Sequence, residues 1–287
     1  MTKAQQLTIE LFDTHAHLDM FDSCCEKILC SNPCHFDQFP DPVNYCNDFQ
    51  LSNDFQIAGV VIPGISHQSS RRSVQFAQQC DLFHAAVGIH PNSTGDASPN
   101  DWSEIVEISR DQNVTSIGET GLDRYRDTVP FEIQLQYFEL HLDLASERGL
   151  PIIVHSRDCD DDMLSVLGNR AKVSPIFGVI HSFSSTPAVA EKYLEMGLFI
   201  SFSGTVTYTN RKFFALRETA KIVPDDRLLI ETDAPFLTPH PYRRKLNENM
   251  PIMTAYTART LAGLRGTTIG HIAAVTTANA RKIFRKK

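Results

Sequence analysis

No apolar run in this chain is long enough to cross a bilayer. Residues Met1 to Glu10 carry neither a long apolar stretch nor a cleavage-site pattern, so a cytoplasmic location is the expectation. A large basic excess is also missing. The formal net charge is −7, from 27 Lys and Arg against 34 Asp and Glu. That excludes sequence-indifferent coating of nucleic acid, which needs a broad cationic face, but not an enzyme with a local basic rim. Basic residues do gather locally, at Arg71-Arg72, Arg124 with Arg126, Arg211-Lys212, Arg243-Arg244-Lys245 and from Arg281 to Lys287. Each cluster reads either as solvated surface or as part of such a rim. No glycine-rich dinucleotide fingerprint follows the first strand-like run, which argues against a Rossmann sheet. No Cys-x-x-Cys pair occurs, and the odd count of seven cysteines fits reduced thiols better than a disulfide framework.

What the chain does have is eight short β-rich runs separated by helical patterns. The runs are Glu10 to Asp13, Ala58 to Pro63, His84 to Gly88, Thr115 to Glu119, Pro151 to His155, Phe177 to His181, Leu198 to Ser201 and Leu228 to Glu231. The clearest helix is Phe131 to Arg148, with Leu135, Phe138, Leu142 and Ala145 on one face and Gly149 as its stop. Alternation of this kind implies a parallel sheet. Eight strands favour closure into a TIM (β/α)8 barrel, an α/β fold, over an open doubly wound sheet, and 287 residues suit one such barrel. No repeat and no linker divides the chain, so a single domain over 1–287 is expected. One stretch breaks the pattern: Phe21 to Asn53 is polar, cysteine-rich and aperiodic, and reads as a long loop after the first strand.

Polar residues of metal-binding type stand at the C-terminal ends of these runs: Asp13-Thr14-His15-Ala16-His17, Gly88-Ile89-His90-Pro91, Glu119, His155-Ser156-Arg157, His181, and Glu231-Thr232-Asp233. A TIM barrel gathers all those ends on one face, where barrel active sites are built. Alternate residues of a strand point the same way, so His15 and His17 can reach one ion. Imidazole with carboxylate suits zinc, manganese or iron. A single histidine of this set also reads as a hydrogen-bonded structural residue, Glu119 as a helix cap or a partner of Arg124, Asp233 as an N-cap, and His90 as structural or substrate-facing. Together they read as a metal site. His35, His67, His84, His141, His240 and His271 lack this context and read as ordinary histidines.

The stretches FDTHAHLD from Phe12, AAVGIHP from Ala85, IGETGLDRYRD from Ile117, LPIIVHSRD from Leu150, VIHSFSS from Val179, SFSGTVTY from Ser201, ETDAPFLTPHPYRRKLNEN from Glu231 and TTANARKIF from Thr276 resemble the TatD family of metal-dependent deoxyribonucleases. The resemblance runs over nearly the whole chain from Phe12. It implies two divalent metal ions (zinc, manganese or magnesium), the first held by His15, His17, Glu119 and Asp233, the second by Glu119, His155 and His181. Glu119 would bridge the pair. Water activated between the ions would attack phosphorus, with Asp233 taking its proton. Arg157, His90 and the segment with Arg243 and Lys245 are the candidates for holding phosphate. Two departures stand out. The cysteine-rich loop is longer than usual, and Arg244 occupies a position more often glycine.

The leading expectation is therefore phosphodiester hydrolysis in DNA. An alternative is ester hydrolysis on a D-aminoacyl-tRNA, which would make tRNA the substrate. A third is a non-catalytic metal-binding scaffold, which the intact ligand set disfavours. Nothing points to a membrane or to an obligate protein partner. Cys24, Cys25, Cys30, Cys34 and Cys46 crowd the long loop. Without paired ligand spacing they read as reduced thiols, in a loop that walls one side of the cleft.

Overall fold

The computed structural model describes residues 8–21, 55–126, 128–246 and 248–286. Most of the cysteine-rich loop, with its five cysteines and His35, lies outside the described residues. Eight strands are present: β1 Ile9–Asp13, β2 Phe55–Ile62, β3 Phe83–Val87, β4 Val114–Asp123, β5 Ile152–Arg157, β6 Gly178–Ile180, β7 Phe199–Phe202 and β8 Leu228–Ile230. They pair in parallel, in chain order. Helices alternate with them: α1 His67–Gln79, α2 Pro99–Ile108, α3 Phe131–Arg148, α4 Asp160–Ala171, α5 Pro187–Glu195, α6 Phe214–Ile222, α7 Thr254–Arg265 and α8 Ile269–Ile283. This is the expected TIM barrel. The eight predicted strands are all there, but β4 runs on to Asp123 instead of ending at Glu119, with a register irregularity between Ile117 and Thr120.

The sheet closes beyond the ladder ends. Thr14 N–H donates to Ile230 O at 3.2 Å, Asp233 N–H to His15 O at 2.9 Å and His17 N–H to Ala234 O at 2.7 Å. Ala16 and Ala234 form a parallel bridge. Asp13 secures the seam from inside, accepting from Thr232 N–H at 2.9 Å and from the Thr232 hydroxyl at 2.5 Å. Complete burial pushes the Asp13 carboxyl up to about 8, against the lowering effect of those bonds.

Strand alternation sorts the core into two clusters. Phe12, Val61, Ala86, Ile153, Val179, Phe199 and Leu229 pack together with Ala280, Ile283 and Phe284 from the C-terminal end of α8. Their strand neighbours Leu11, Ile62, Val87, Val154, Ile180, Ile200 and Ile230 join the larger cluster that contains the helix residues. Successive side chains point to opposite faces, so the first set fills the barrel and the second meets the helix ring. Phe284 closes the floor, stacking on Phe12 with ring centroids 6.4 Å apart. Gly59 pairs with Phe12 across β1 and β2. A Cβ at Gly59 would collide with the Phe12 ring, so the floor depends on that missing side chain. Two residues on from Ile153, Val179 and Leu229 come His155, His181 and Glu231. The lumen is thus apolar below and polar above.

Helix α3 has the bounds the apolar spacing predicts. It ends on Gly149 at φ 62°, a left-handed cap whose N–H reaches Ala145 O and Ser146 O. Its buried face holds Gln134, Phe138, His141, Leu142, Leu144 and Ala145. His141 is structural, as expected: its Nε2 accepts the Ile89 N–H at 2.9 Å and its Nδ1 lies 2.6 Å from Tyr137 O.

Candidate metal centre

Just past β1, His15 and His17 are both buried, with ring centroids 5.0 Å apart. Glu119 on β4 is 2% exposed and divides its carboxylate between two groups of imidazoles. Oε2 lies 3.3 Å from His15 Nε2 and 3.7 Å from His17 Nε2. Oε1 lies 2.8 Å from His181 Nε2, 2.9 Å from His155 Nδ1 and 3.5 Å from His90 Nε2. Asp233 Oδ1 stands 3.5 Å from His17 Nε2 and 3.8 Å from His15 Nε2. Asp233 sits at φ 58°, a left-handed conformation that aspartate tolerates better than most residues. All six residues expected at the metal site therefore meet, and His90 joins them. Arg124 does not pair with Glu119: its guanidinium donates to Asp162 at 2.6 Å.

Charge in this cluster is set by mutual attraction against burial. Burial pushes the Glu119 carboxyl up, but His181, His90 and His15 together hold it well below the usual range. Asp233 is likewise held low against burial, by His17, His15 and His181. Burial pulls His15 down, and it pulls His90 down to about 3. In His17, His155 and His181 the neighbouring carboxylates overcome burial and raise the imidazoles.

The donors fit a cation. Both ring nitrogens of fully buried His15 lack a hydrogen-bond partner, and so does His17 Nδ1. Leaving such atoms unpaired is costly. A divalent ion between imidazoles and carboxylates would satisfy them. Three overlapping triplets have donor atoms within 4.8 Å of one another: His15, His181 and Asp233; His15, His17 and Glu119; His90, Glu119 and His155. A mixed nitrogen and oxygen set of this kind suits zinc, manganese or iron.

Three further residues hold the cluster in place, and the motif reading gave none of them a role. Asp123 Oδ2 lies 3.2 Å from His155 Nε2 and accepts from Asn92 Nδ2 at 3.0 Å, while its Oδ1 accepts from Tyr125 N–H at 2.8 Å. Glu231, fully buried, has Oε1 3.2 Å from His181 Nδ1 and accepts the Ser182 N–H at 2.8 Å. Asn249 Nδ2 donates to Thr232 O at 2.9 Å and Phe236 O at 2.7 Å, pinning the loop that carries Asp233. Period-2 spacing carried the signal for Glu231, which follows Leu229 on the lumenal side. Of the phosphate candidates, His90 lies within the cluster, 3.5 Å from Glu119. Arg157 stacks 3.8 Å over the Tyr125 ring and Arg243 lies 3.8 Å over Tyr208, while Lys245 is exposed. None of the three pairs with a carboxylate among the described residues.

A parallel eight-stranded barrel with four histidines, a shared glutamate and an aspartate at its C-terminal mouth defines the class of metal-dependent hydrolase barrels. Within that class the chain belongs to the TatD related DNase family, which matches residues 12–285. It is 35% identical over 277 residues to the metal-dependent hydrolase YabD of Bacillus subtilis, covering 96% of this chain and 99% of that protein. It is 32% identical to a 3′-5′ ssDNA/RNA exonuclease TatD of Erwinia billingiae, over 82% of this chain and 90% of that one. Among solved structures it is similar to YjjV, a TatD homologue of Escherichia coli. There the TM-score is 0.78 at 26% identity, covering 96% and 97% of the two chains. An organophosphorus hydrolase of Deinococcus radiodurans shares the fold, with a TM-score of 0.59 at 16% identity over 97% and 93%. No helix among the described residues is long and apolar enough to cross a membrane.

Proposed function

We propose that this metal-dependent hydrolase is a nuclease that cleaves phosphodiester bonds in DNA with two divalent ions. The observation that carries the reading is the divided carboxylate of Glu119, with one oxygen toward His15 and His17 and the other toward His155 and His181. That geometry supports a first ion on His15, His17, Glu119 and Asp233 and a second on Glu119, His155 and His181. Four imidazoles favour zinc or manganese over magnesium. The Erwinia relative's name supports a nucleic-acid substrate.

When bound, such ions lower the pKa of water and stabilise charge on phosphoryl oxygens. The protein's own groups do the rest. Asp233, held ionised, accepts a proton from the attacking water at Oδ1. Glu231 and Asp123 fix the His181 and His155 rings from behind, which sets their orientation. His90 acts as a neutral donor. Its Nδ1 accepts the Asn92 N–H at 3.1 Å, so Nε2 carries the proton and faces the cluster. Arg157, Arg243 and Lys245 supply cations for flanking phosphates.

The test is incubation with manganese or magnesium and single-stranded DNA, duplex DNA or D-tyrosyl-tRNA. Release of nucleotides that is lost in Glu119→Gln supports the nuclease. Release of free D-tyrosine without nucleotides would replace it with an esterase. Neither product, with metal bound, would leave a non-catalytic metal-binding protein.

A further inference from the structure

Seven large apolar side chains are exposed among the described residues, and three of them rim the metal centre: Met20, Tyr125 and Phe236. Phe236 is 50% exposed, yet its backbone is fixed on both sides. Its N–H donates to Asp233 O at 2.8 Å, and its carbonyl accepts from buried Asn249 at 2.7 Å. The ring meets His17 edge-on, centroids 6.0 Å apart at 71°. Met20 flanks the same histidine, with its N–H on His17 O at 3.1 Å. One side of the mouth, at β8 and β1, is therefore apolar and rigid.

The side formed by β4 and β5 differs. There the Arg157 guanidinium carbon lies over the exposed Tyr125 ring, 3.8 Å from its centroid. Arg157 pairs with no carboxylate among the described residues, so its hydrogen-bonding edge is free for an anion. A ligand that spans both sides needs a flat apolar face joined to a phosphate. A nucleotide has both, and an aromatic ring already held in place loses little freedom when a base stacks on it. A base inside a duplex is covered on both faces and offers none.

We propose that Phe236 is the platform on which the nucleobase beside the scissile phosphate stacks, with Met20 at its edge and the Arg157–Tyr125 pair taking the phosphate chain. This rests on the nuclease reading above. It accords with the single-stranded substrate in the Erwinia relative's name.

The experiment compares a fluorescent oligothymidylate with an abasic oligomer of equal length, in binding by anisotropy and in hydrolysis with manganese. Wild-type protein should prefer the thymidylate. Phe236→Ala should weaken thymidylate binding about tenfold, raise KM more than it lowers kcat, and bring the preference over the abasic oligomer close to one. Phe236→Trp should restore that preference, and an unchanged melting temperature shows that the variants fold. An equal loss on both oligomers, or wild-type preference in Phe236→Ala, overturns the platform while the nuclease reading stands. Wild-type protein that releases no nucleotide from either oligomer removes the nuclease reading itself and the platform with it.

Discussion

Glu231 Oε1 stands 3.2 Å from His181 Nδ1, on the ring edge opposite the one that faces Glu119. His181 is therefore held between two carboxyl groups, one shared with the cluster and one behind it. Such outer partners fix a ring's tautomer and raise its basicity. Glu231→Ala should lower metal affinity about 10–100-fold, and Glu231→Gln, which keeps an acceptor oxygen, should lower it less. Chelator competition measures both. Wild-type affinity in Glu231→Ala would show that the contact does not position the ring.

Glu119 and Asp233 should separate by function. Glu119→Gln replaces two anionic oxygens with one neutral carbonyl, so metal content should drop below the two ions proposed and hydrolysis should vanish. Asp233→Asn should keep more metal but lose turnover by about 10²–10⁴-fold, the range expected for a missing general base. Metal analysis beside single-turnover rates gives both numbers. Near-normal turnover in Asp233→Asn would remove it as the base.

Acid should destabilise the fold through His141. Burial pulls this imidazole from 6.5 down to about 4, against the raising effect of its bond to Tyr137 O. As pH falls below the unfolded value of 6.5, the unfolded chain takes up a proton that the folded chain refuses until about pH 4. Stability is therefore full above pH 6.5 and falls by about 3 kcal/mol across that window. Denaturant melts at pH 7 and pH 4.5 should show His141→Gln with a shallower slope than wild type. Equal slopes would assign the acid sensitivity elsewhere.

Arg244 sits at φ 64°, in the left-handed region, which suits the glycine that the TatD resemblance leads one to expect there. Arg244→Gly relieves the Cβ penalty but loosens the unfolded chain, for a net gain of about 0.5–1 kcal/mol. Thermal melts should show a small rise. A fall of that size would mean that the exposed side chain contributes more than the strain costs.

Much of this was legible in the sequence. Period-2 runs ending in His, Glu or Asp gave the barrel and six converging residues, because strand ends in this fold share one face. Helix α3 was readable to its last residue because Gly149 supplies the left-handed stop. The supporting groups were not readable. Asp123 reaches His155 only because β4 continues four residues past Glu119 through a register irregularity, which no apolar pattern announces. Asn249 acts through backbone carbonyls in a loop without periodicity. Arg157 stacks on Tyr125, a contact across two strand ends that spacing within either strand cannot give.

The seam between β1 and β8 also fixes when the centre comes into being. His15 and His17 are synthesised well before Asp233 and the Thr232 that grips Asp13, 219 positions separating that last pair. Closing so long a loop costs entropy that only the finished ring repays. A nascent or truncated chain that stops before β8 has five of the six proposed ligands but lacks both Asp233 and the bonds that hold His15 and His17 in register. The proposed centre is thus complete only once β8 and the Asp233 turn have been made, and chains that stop short of them carry an incomplete set of ligands.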